Sequence, residues 1–233
     1  MRNEELQIAK RDQPVSLYLP DSSAPLIHVM SESPQARFLC DFAQRCFFTG
    51  RFVTKGGRRH QWILDCRVGL GQGDYAQTLA REIVLQAKAR GTLQFAGTGF
   101  GSYFLLGAIL GVEKQARVGL VRSNRKTFGR QNRIEGKLNT NQPVCVIDDV
   151  INSGRTACQA VEVLRQEGFV VNHCLCLFHF NWGGGIESLA KEGVECSGLA
   201  TVSRSGQLQP EASASASRSL FSQLCRPFAK FFN

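Results

Sequence analysis

The sequence predicts an α/β fold, with a central, mostly parallel sheet flanked by helices. From about residue 92 onward, short β-rich segments alternate with helical ones, which is the order of elements in a parallel sheet with helical crossovers. Several of the β-rich segments are apolar throughout, as in strands buried on both faces. A smaller unit comes first: strand patterns at 51–55 and 61–66 flank the turn GGRR, and we expect them to form a strand pair, or hood.

The helices before residue 92 are predicted from a cap and from periodicity. Ser33 followed by Pro34 indicates an N-cap with proline at the first helical position. Behind this cap, apolar residues recur at helical spacing, at Ala36, Leu39, Ala43, Cys46 and Phe47. A second helix is predicted over 74–89, where four apolar residues share one side.

The alternation after residue 92 predicts the remaining elements. Strands are predicted at 92–96, 116–121, 144–147, 170–180 and 194–202, and helices at 104–110, from 156 onward and at 186–192. The polar segment 124–137 shows no periodicity, so we predict a moving loop there.

We divide the chain into an N-terminal arm (1–31), one domain (32–204), a Ser/Ala-rich linker (205–219) and a C-terminal tail (220–233). The tail places apolar residues among basic ones, which fits a helix that docks on a membrane surface or on a partner. Pro227 would break such a helix, and a tail that folds back onto the domain explains the pattern equally well.

Composition limits the classes of protein to consider. Of 233 residues, 43% are hydrophobic, which is typical of an ordinary soluble protein. The chain contains no apolar run of 18 residues and begins with a polar segment, so we expect neither a transmembrane helix nor a secretory signal. The nine cysteines form no C-x-x-C pair, and several lie in apolar patterns. We therefore expect buried free thiols and a reducing compartment, the cytoplasm.

The net charge of +9 points to an anionic ligand. The basic residues concentrate at 55–59 and 122–133, around glycines in predicted loops, and do not form one continuous stripe. Aromatic residues are not interleaved with them as stacking on nucleic acid would require. These clusters favour the phosphates of a small substrate over a nucleic-acid partner.

The most informative segment is 144–156, with the sequence VCVIDDVINSGRT. An apolar strand runs into Asp148 and Asp149, and a loop of small residues then leads to a helix that opens at Thr156. Backbone N–H groups in such a loop and at a helix N-terminus bind phosphate. The two carboxylates repel phosphate, but they can accept hydrogen bonds from sugar hydroxyls or help to hold a divalent metal. The segment therefore indicates a phosphosugar, although a strand that ends in a solvated turn and a helix cap remains the alternative.

This segment resembles the phosphoribosyl pyrophosphate (PRPP) signature of type I phosphoribosyltransferases. Three further segments narrow the resemblance to orotate phosphoribosyltransferases: FVTKGGR followed by DCR (52–67), RKTFGRQNRIEG (125–136) and GGIESLAKEGV (184–194). They are similar to the family's early strand pair, its mobile catalytic loop and the helix after its substrate-facing strand. The resemblance covers roughly residues 34–204 and implies the type I phosphoribosyltransferase fold.

The resemblance implies a reaction and a set of roles. The family moves the ribose of PRPP onto a pyrimidine nitrogen and expels pyrophosphate, with Mg2+ held mainly through PRPP. Asp148 and Asp149 would contact the ribose hydroxyls or metal-bound water. The 5′-phosphate would lie in the loop formed by Asn152, Ser153, Gly154, Arg155 and Thr156. The pyrophosphate would contact Lys55 and the loop formed by Thr98, Gly99, Phe100, Gly101 and Ser102.

Two further sets of residues follow from the same resemblance. Arg125 and Lys126 match the basic pair that opens the catalytic loop, which often reaches the pyrophosphate across a homodimer interface; a solvated basic loop is the alternative for this pair and for Lys55. Candidates for contact with the base are Trp62, Ile63 and Asn181.

The chain departs from the family pattern at several charged positions. The catalytic loop is about three residues shorter and lacks its usual lysine, and Phe128 stands where many members carry histidine. The pyrophosphate loop offers Phe100 or Gly101 in place of a lysine. Asn181 occupies the position of the arginine expected to pair with the orotate carboxylate.

These departures leave three functional hypotheses. The first is a PRPP-dependent transferase acting on orotate or on another base. The second is a regulator that binds PRPP or a nucleotide without turnover. The third, an RNA-binding surface, has the least support.

Overall fold

The computed structural model describes residues 28–29, 33–53, 57, 59–122, 132–203 and 207–211. In these ranges the strands are β1 (His28–Val29), β2 (Phe47–Val53), β3 (Arg59–Leu64), β4 (Gln94–Gly97), β5 (Arg117–Val121), β6 (Ile134–Gly136), β7 (Cys145–Ile151), β8 (His173–Phe180), β9 (Glu195–Val202) and β10 (Gln207–Pro210). The helices are α1 (Pro34–Cys46), α2 (Cys66–Leu70), α3 (Gly73–Ala89), α4 (Phe100–Val112), α5 (Arg155–Gln166) and α6 (Gly185–Lys191).

Eight of these strands form one sheet, in the order β1-β10-β9-β8-β7-β4-β5-β6. The run from β9 to β5 is parallel throughout, whereas β6 and β10 pair antiparallel with their neighbours. β2 and β3 form a separate antiparallel pair. The predicted α/β class, the mostly parallel sheet and the early strand pair are therefore confirmed.

Helices cover both faces of the sheet, each over its own apolar core. On one face, α1, α3 and α4 contribute fully buried residues such as Phe42, Ile83 and Leu105. On the other face, α5 and α6 contribute Leu164 and Leu189. The first helix begins as predicted: the Ser33 side chain accepts a hydrogen bond from the Ala36 N–H at 3.1 Å, ahead of the proline.

The structure differs from the sequence prediction at the edges of the sheet. The predicted linker begins too early, because 207–210 forms β10 with Leu208 fully buried, and Glu211 accepts a hydrogen bond from the Gly198 N–H at 3.1 Å. β1 lies within the predicted N-terminal arm, and β6 lies within the segment predicted as a moving loop. These strands have two to four residues, too few for an alternating pattern to be visible, and they exist because a neighbouring strand pairs with them.

Other predictions fall partly or wholly outside the described residues. The tail at 220–233, most of the N-terminal arm and residues 212–219 of the linker are among them. In the described part of the chain, none of the helices combines the length and the apolar character needed to cross a bilayer.

Candidate active site

The acid pair lies near the carboxyl end of β7, in the centre of the sheet. The four residues before it are apolar and almost completely buried, which fixes β7 between β4 and β8. Asp148 is itself 7% exposed. Its Oδ1 accepts hydrogen bonds from the Ser102 hydroxyl at 3.1 Å and from the Asp149 N–H at 3.0 Å. The strand therefore holds the Asp148 carboxylate below the surface, and Asp149 follows it directly and is less buried.

Gly101 determines how closely α4 approaches this pair. It lies in the first turn of α4, and a Cβ atom built on it would overlap the Asp149 carboxyl group. A glycine at this position lets the backbone of the helix N-terminus touch the acid. Because the N-terminal end of a helix favours negative charge, the contact also stabilises the carboxylate.

Burial makes the charged form of both acids costly. It raises the pKa of Asp148 well above its usual value, and the adjacent charge of Asp149 raises it further. Burial also raises the pKa of Asp149, although the hydrogen bond with Asp148 partly lowers it. A ligand that brings hydroxyl donors or a hydrated cation to the pair would relieve this cost.

The acid pair opens into a cleft with a volume of about 280 Å³. Its walls come from the ends of β3, β4 and β7 and from the starts of α4 and α5. The lining residues are Ile63, Leu64, Asp65, Arg67, Thr98, Gly99, Phe100, Gly101, Asp148, Asp149, Val150 and Thr156.

The loop after β7 joins the same cleft through Thr156. Gly154 has a φ of +71°, a left-handed conformation that glycine adopts without strain, and it forms the N-cap of α5. Gly154 has no side chain to cap the helix, so the first N–H groups of α5 remain available to an anion. Asn152, Ser153 and Arg155 are exposed around it.

Most of the residues predicted for PRPP thus converge at the carboxyl ends of the central parallel strands. The acid pair, Thr156 and the loop from Thr98 to Gly101 line one cleft, and Ser102 bonds to Asp148 from behind. Ile63 lines the same cleft from β3. The convergence follows from topology, because β4 and β7 are neighbouring parallel strands and their carboxyl ends meet.

Two predicted base contacts lie elsewhere. Trp62 is adjacent to Ile63 on β3 and therefore points to the opposite face, where its ring packs 5.6 Å from Phe47 and 5.8 Å from Phe180. Asn181 is exposed beyond β8, and its backbone N–H donates to the Val202 carbonyl at 3.2 Å. Neither residue is among those lining the cleft. Lys55, Arg125 and Lys126 lie outside the described residues.

Asp65 and Arg67 are site residues to which the sequence alone assigned no role. Asp65 caps α2 by accepting from the Arg67 N–H at 3.2 Å, and its carboxylate takes two hydrogen bonds of 2.6 Å from the Arg67 guanidinium. That pairing lowers the pKa of Asp65. The available signal was positional: Asp65 directly follows a β-rich segment, as the acid pair does.

The charges of the cleft are unbalanced toward the acidic side. Of the lining residues that the structure describes, Asp65, Asp148 and Asp149 carry carboxylates and Arg67 carries a guanidinium. In this part of the chain, His, Cys, Asp and Glu side chains do not gather in any group of three or more suited to hold a metal ion. The carboxylates fit a hydrated divalent cation that a ligand brings with it better than an ion held by protein atoms alone.

Comparison with known proteins shows the family of the chain. No family model matches it. It is 32% identical over 165 residues to the orotate phosphoribosyltransferase of Aeropyrum pernix, covering 66% of this chain and 82% of that protein. The orotate phosphoribosyltransferase of Methanocaldococcus jannaschii is 26% identical over 182 residues, or 78% of this chain and 96% of the relative.

Solved structures agree with the fold described above. The crystal structure of the Aeropyrum pernix orotate phosphoribosyltransferase superposes with a TM-score of 0.57 and 28% identity, covering 70% of this chain and 93% of that one. The sequence identity and coverage of these relatives, the shared fold and the position of the acid pair lead to one conclusion. The chain belongs to the orotate phosphoribosyltransferase family.

Proposed function

We propose that the chain transfers the phosphoribosyl group of PRPP to orotate, forming orotidine 5′-phosphate and pyrophosphate in pyrimidine nucleotide synthesis. The observation that carries this proposal is the cleft itself. It brings the acid pair of β7, the start of α5 and the loop before α4 within reach of one small ligand.

Each wall of the cleft suits one part of PRPP. The N–H groups at the start of α5 would bind the 5′-phosphate, with Asn152, Ser153 and Thr156 around it. Asp148 and Asp149 would accept hydrogen bonds from the ribose hydroxyls. The loop from Thr98 to Ser102 would support the pyrophosphate.

The chemistry required of the chain is mainly electrostatic. Positive charge develops on the ribose as the pyrophosphate leaves, and two fixed carboxylates at the ribose favour that charge. Both carboxylates lie on β7, whose residues before the acid pair are buried, so they do not need to reorganise during the reaction. Lys55, Arg125 and Lys126 remain predictions for contact with the leaving pyrophosphate.

A divalent cation is part of the proposal because a polyanion must enter a cleft whose described charged side chains are mostly acidic. Asp148 or Asp149 would hold Mg2+ through water, and the ion would supply neutralisation of the charge on pyrophosphate. Among the described residues that line the cleft, Arg67 carries the positive charge. We propose that it also neutralises part of the charge on pyrophosphate.

Fewer contacts support the acceptor side of the cleft, which we define as the part that would hold the base. Ile63 offers an apolar surface in the cleft, whereas Trp62 packs in an aromatic cluster with Phe47 and Phe180. For Trp62 or Asn181 to contact the base, their side chains would have to move from the positions described above. Another base is the alternative acceptor.

We also propose a homodimer in the cytoplasm. α4 is apolar around its whole circumference, a composition typical of a helix that is buried on all sides. Yet Phe100, Phe104 and Leu110 are 71%, 45% and 49% exposed. A second copy of the chain would cover this face, and analytical ultracentrifugation of the full chain tests it.

The catalytic proposal is tested by incubating the protein with PRPP, Mg2+ and a panel of bases and measuring pyrophosphate release. We expect release with orotate, and we expect a loss of at least a hundredfold when Asp148→Asn and Asp149→Asn are combined, because two charge-assisted contacts are each worth about 1.5–3 kcal/mol. The exposed Asp74→Asn on α3 is the matched control and should retain activity. Absence of release with every base would contradict the proposal.

The alternative is a regulator that binds PRPP without turnover. This alternative is favoured by the scarcity of positive charge, because Arg67 is the one basic residue among the described residues that line the cleft. Calorimetry separates the two: PRPP binding that depends on the acid pair, without pyrophosphate release, supports the regulator. If the double variant leaves PRPP binding unchanged, both functions lose their site.

A further inference from the structure

Three cysteines form a cluster on the face of the sheet that α5 and α6 cover. Cys174 and Cys176 lie on β8, and Cys196 lies on β9. Cys174 and Cys196 are register partners on these neighbouring parallel strands. Neighbouring strands are about 4.8 Å apart, within the range of about 4.4–6.8 Å between Cα atoms that a disulfide spans.

The side chains of Cys174 and Cys196 project from the same side of two paired strands, because the two residues are register partners. Hydrogen bonding to Cys174 and to Cys176 acts on the pKa of Cys196. Those hydrogen bonds, first from Cys174 and then from Cys176, hold the pKa of the Cys196 thiol below its usual value, whereas the pKa values of the other two are raised. Cys196 is thus the member of the cluster with thiolate character, and the thiolate is the reactive form.

Exposure selects the same residue. Cys174 and Cys176 are 0% and 1% exposed, whereas Cys196 is partly exposed at the side of the sheet. Besides Cys174 and Cys176, the groups that act electrostatically on it are Cys145 from β7, Cys158 from α5, His179 from β8 and Glu211 after β10. A small oxidant can reach Cys196 while its two neighbours stay shielded.

We propose that Cys196 is a peroxide-reactive thiol that forms a disulfide with Cys174. In the first step, the Cys196 sulfur attacks hydrogen peroxide: an S–O bond forms, the O–O bond breaks and hydroxide leaves. The sulfur is oxidised by two electrons to sulfenic acid, and the peroxide is reduced. In the second step, Cys174 attacks that sulfur: an S–S bond forms, the S–O bond breaks, and the hydroxyl leaves with the Cys174 proton as water.

Cys174 is the better partner on geometric grounds. It lies directly opposite Cys196 in the register, whereas Cys176 lies opposite Gly198. The Cys176 thiol is also engaged by the Ser197 carbonyl, at 3.7 Å. Because the two residues are already paired across neighbouring strands, forming the bond requires movement of their side chains and not of the strands.

Peptide mapping of the full chain tests the proposal. The reduced protein is treated with about one equivalent of hydrogen peroxide, blocked with an alkylating reagent and digested with trypsin. We expect the peptide 166–191, which carries Cys174 and Cys176, to be joined to 192–204, which carries Cys196, with fragmentation placing the bond on Cys174.

Variants identify the order of the two steps. Cys174→Ser should leave Cys196 as a sulfenic acid that dimedone traps, and Cys196→Ser should abolish both products. Cys158→Ser is the matched control, because Cys158 is also partly exposed and should not change the disulfide.

A measurement on the unmodified chain keeps the proposal testable if a variant does not fold. With limiting iodoacetamide at neutral pH, Cys196 should be alkylated before the other cysteines of the described ranges. Slower alkylation of Cys196 than of Cys158, or a peroxide-induced bond between other cysteines, would overturn the proposal.

Discussion

The donor and acceptor sides of the cleft are constructed differently. On the donor side, β4, β7 and the helices that follow them hold the acid pair through buried contacts: Ser102 bonds to Asp148, and the Gly101 backbone touches Asp149. On the acceptor side, Ile63 and Leu64 of β3 line the cleft, while Trp62 packs away from it and Asn181 is exposed. In the proposed function, recognition of PRPP would therefore depend on the core of the fold, whereas the choice of base would depend on residues that can change without disturbing that core.

Replacement of Gly101 by alanine, on the donor side of the cleft, should cause the largest loss of activity. The added Cβ must displace the Asp149 carboxyl group, and a displacement of about 1 Å at reacting groups can cost about a hundredfold in rate. We expect kcat/KM for PRPP to fall by about that factor while the melting temperature changes little. The matched control is Gly73→Ala, in the first turn of α3, where a Cβ would meet no described atom within 4 Å. Equal activity of the two variants would show that the close approach has no functional role.

Arg67→Gln tests whether the cleft needs its described cation. Arg67 is about half exposed, so we expect the lower end of the range for a charged contact, about 1.5 kcal/mol, which corresponds to a roughly tenfold rise in KM for PRPP. Arg45→Gln is the control, because Arg45 forms a comparable exposed ion pair with Asp41 on α1. A KM that stays constant in both variants would exclude Arg67 from substrate binding.

Asp148→Asn should separate stability from activity. Because the folded protein raises the pKa of Asp148, folding favours the protonated acid, and the wild type loses stability as pH rises from the usual aspartate range through that raised pKa. Asparagine keeps an oxygen acceptor for Ser102 but carries no charge. We expect the variant to exceed the wild type in free energy of unfolding at neutral pH and to match it in acid.

Urea titrations across pH measure this difference. A variant that is less stable than the wild type at every pH would mean that the charged carboxylate contributes more through its hydrogen bonds than its burial costs.

The smallest effect is expected on the acceptor side, at Asn181. Its side chain is exposed and its described contact is made by the backbone, so Asn181→Ala should change KM for the base by less than about twofold. Ile63→Ala removes a side chain that lines the cleft and should raise the same KM more. Steady-state kinetics with saturating PRPP compares the two, and the opposite order would assign base recognition to Asn181.

The sequence was sufficient to predict which residues of the proposed donor side lie together, because their features are local. The strand, acid pair and loop of 144–156 follow one another directly, and parallel topology then brings the segment at 98–102 beside them. For Asp65 and Arg67 the sequence offered only the position of Asp65 after a β-rich segment, because their place in the cleft depends on how the strand pair packs against the sheet. The orientation of Trp62 was ambiguous for a related reason: a shift of one residue in a strand exchanges its two faces.

The short strand β10 has a consequence for how a truncated chain would behave. Glu211 is bonded to Gly198 and Thr201 and contacts His179, so one carboxylate fastens β10 along β9. Without it, the backbone of β9 would be an open edge beside the buried residues Leu199, Ala200 and Val202. Open edges of this kind recruit strands from other molecules. A chain that ends before Gln207 should therefore aggregate on expression, even though every residue proposed to bind PRPP would still be present.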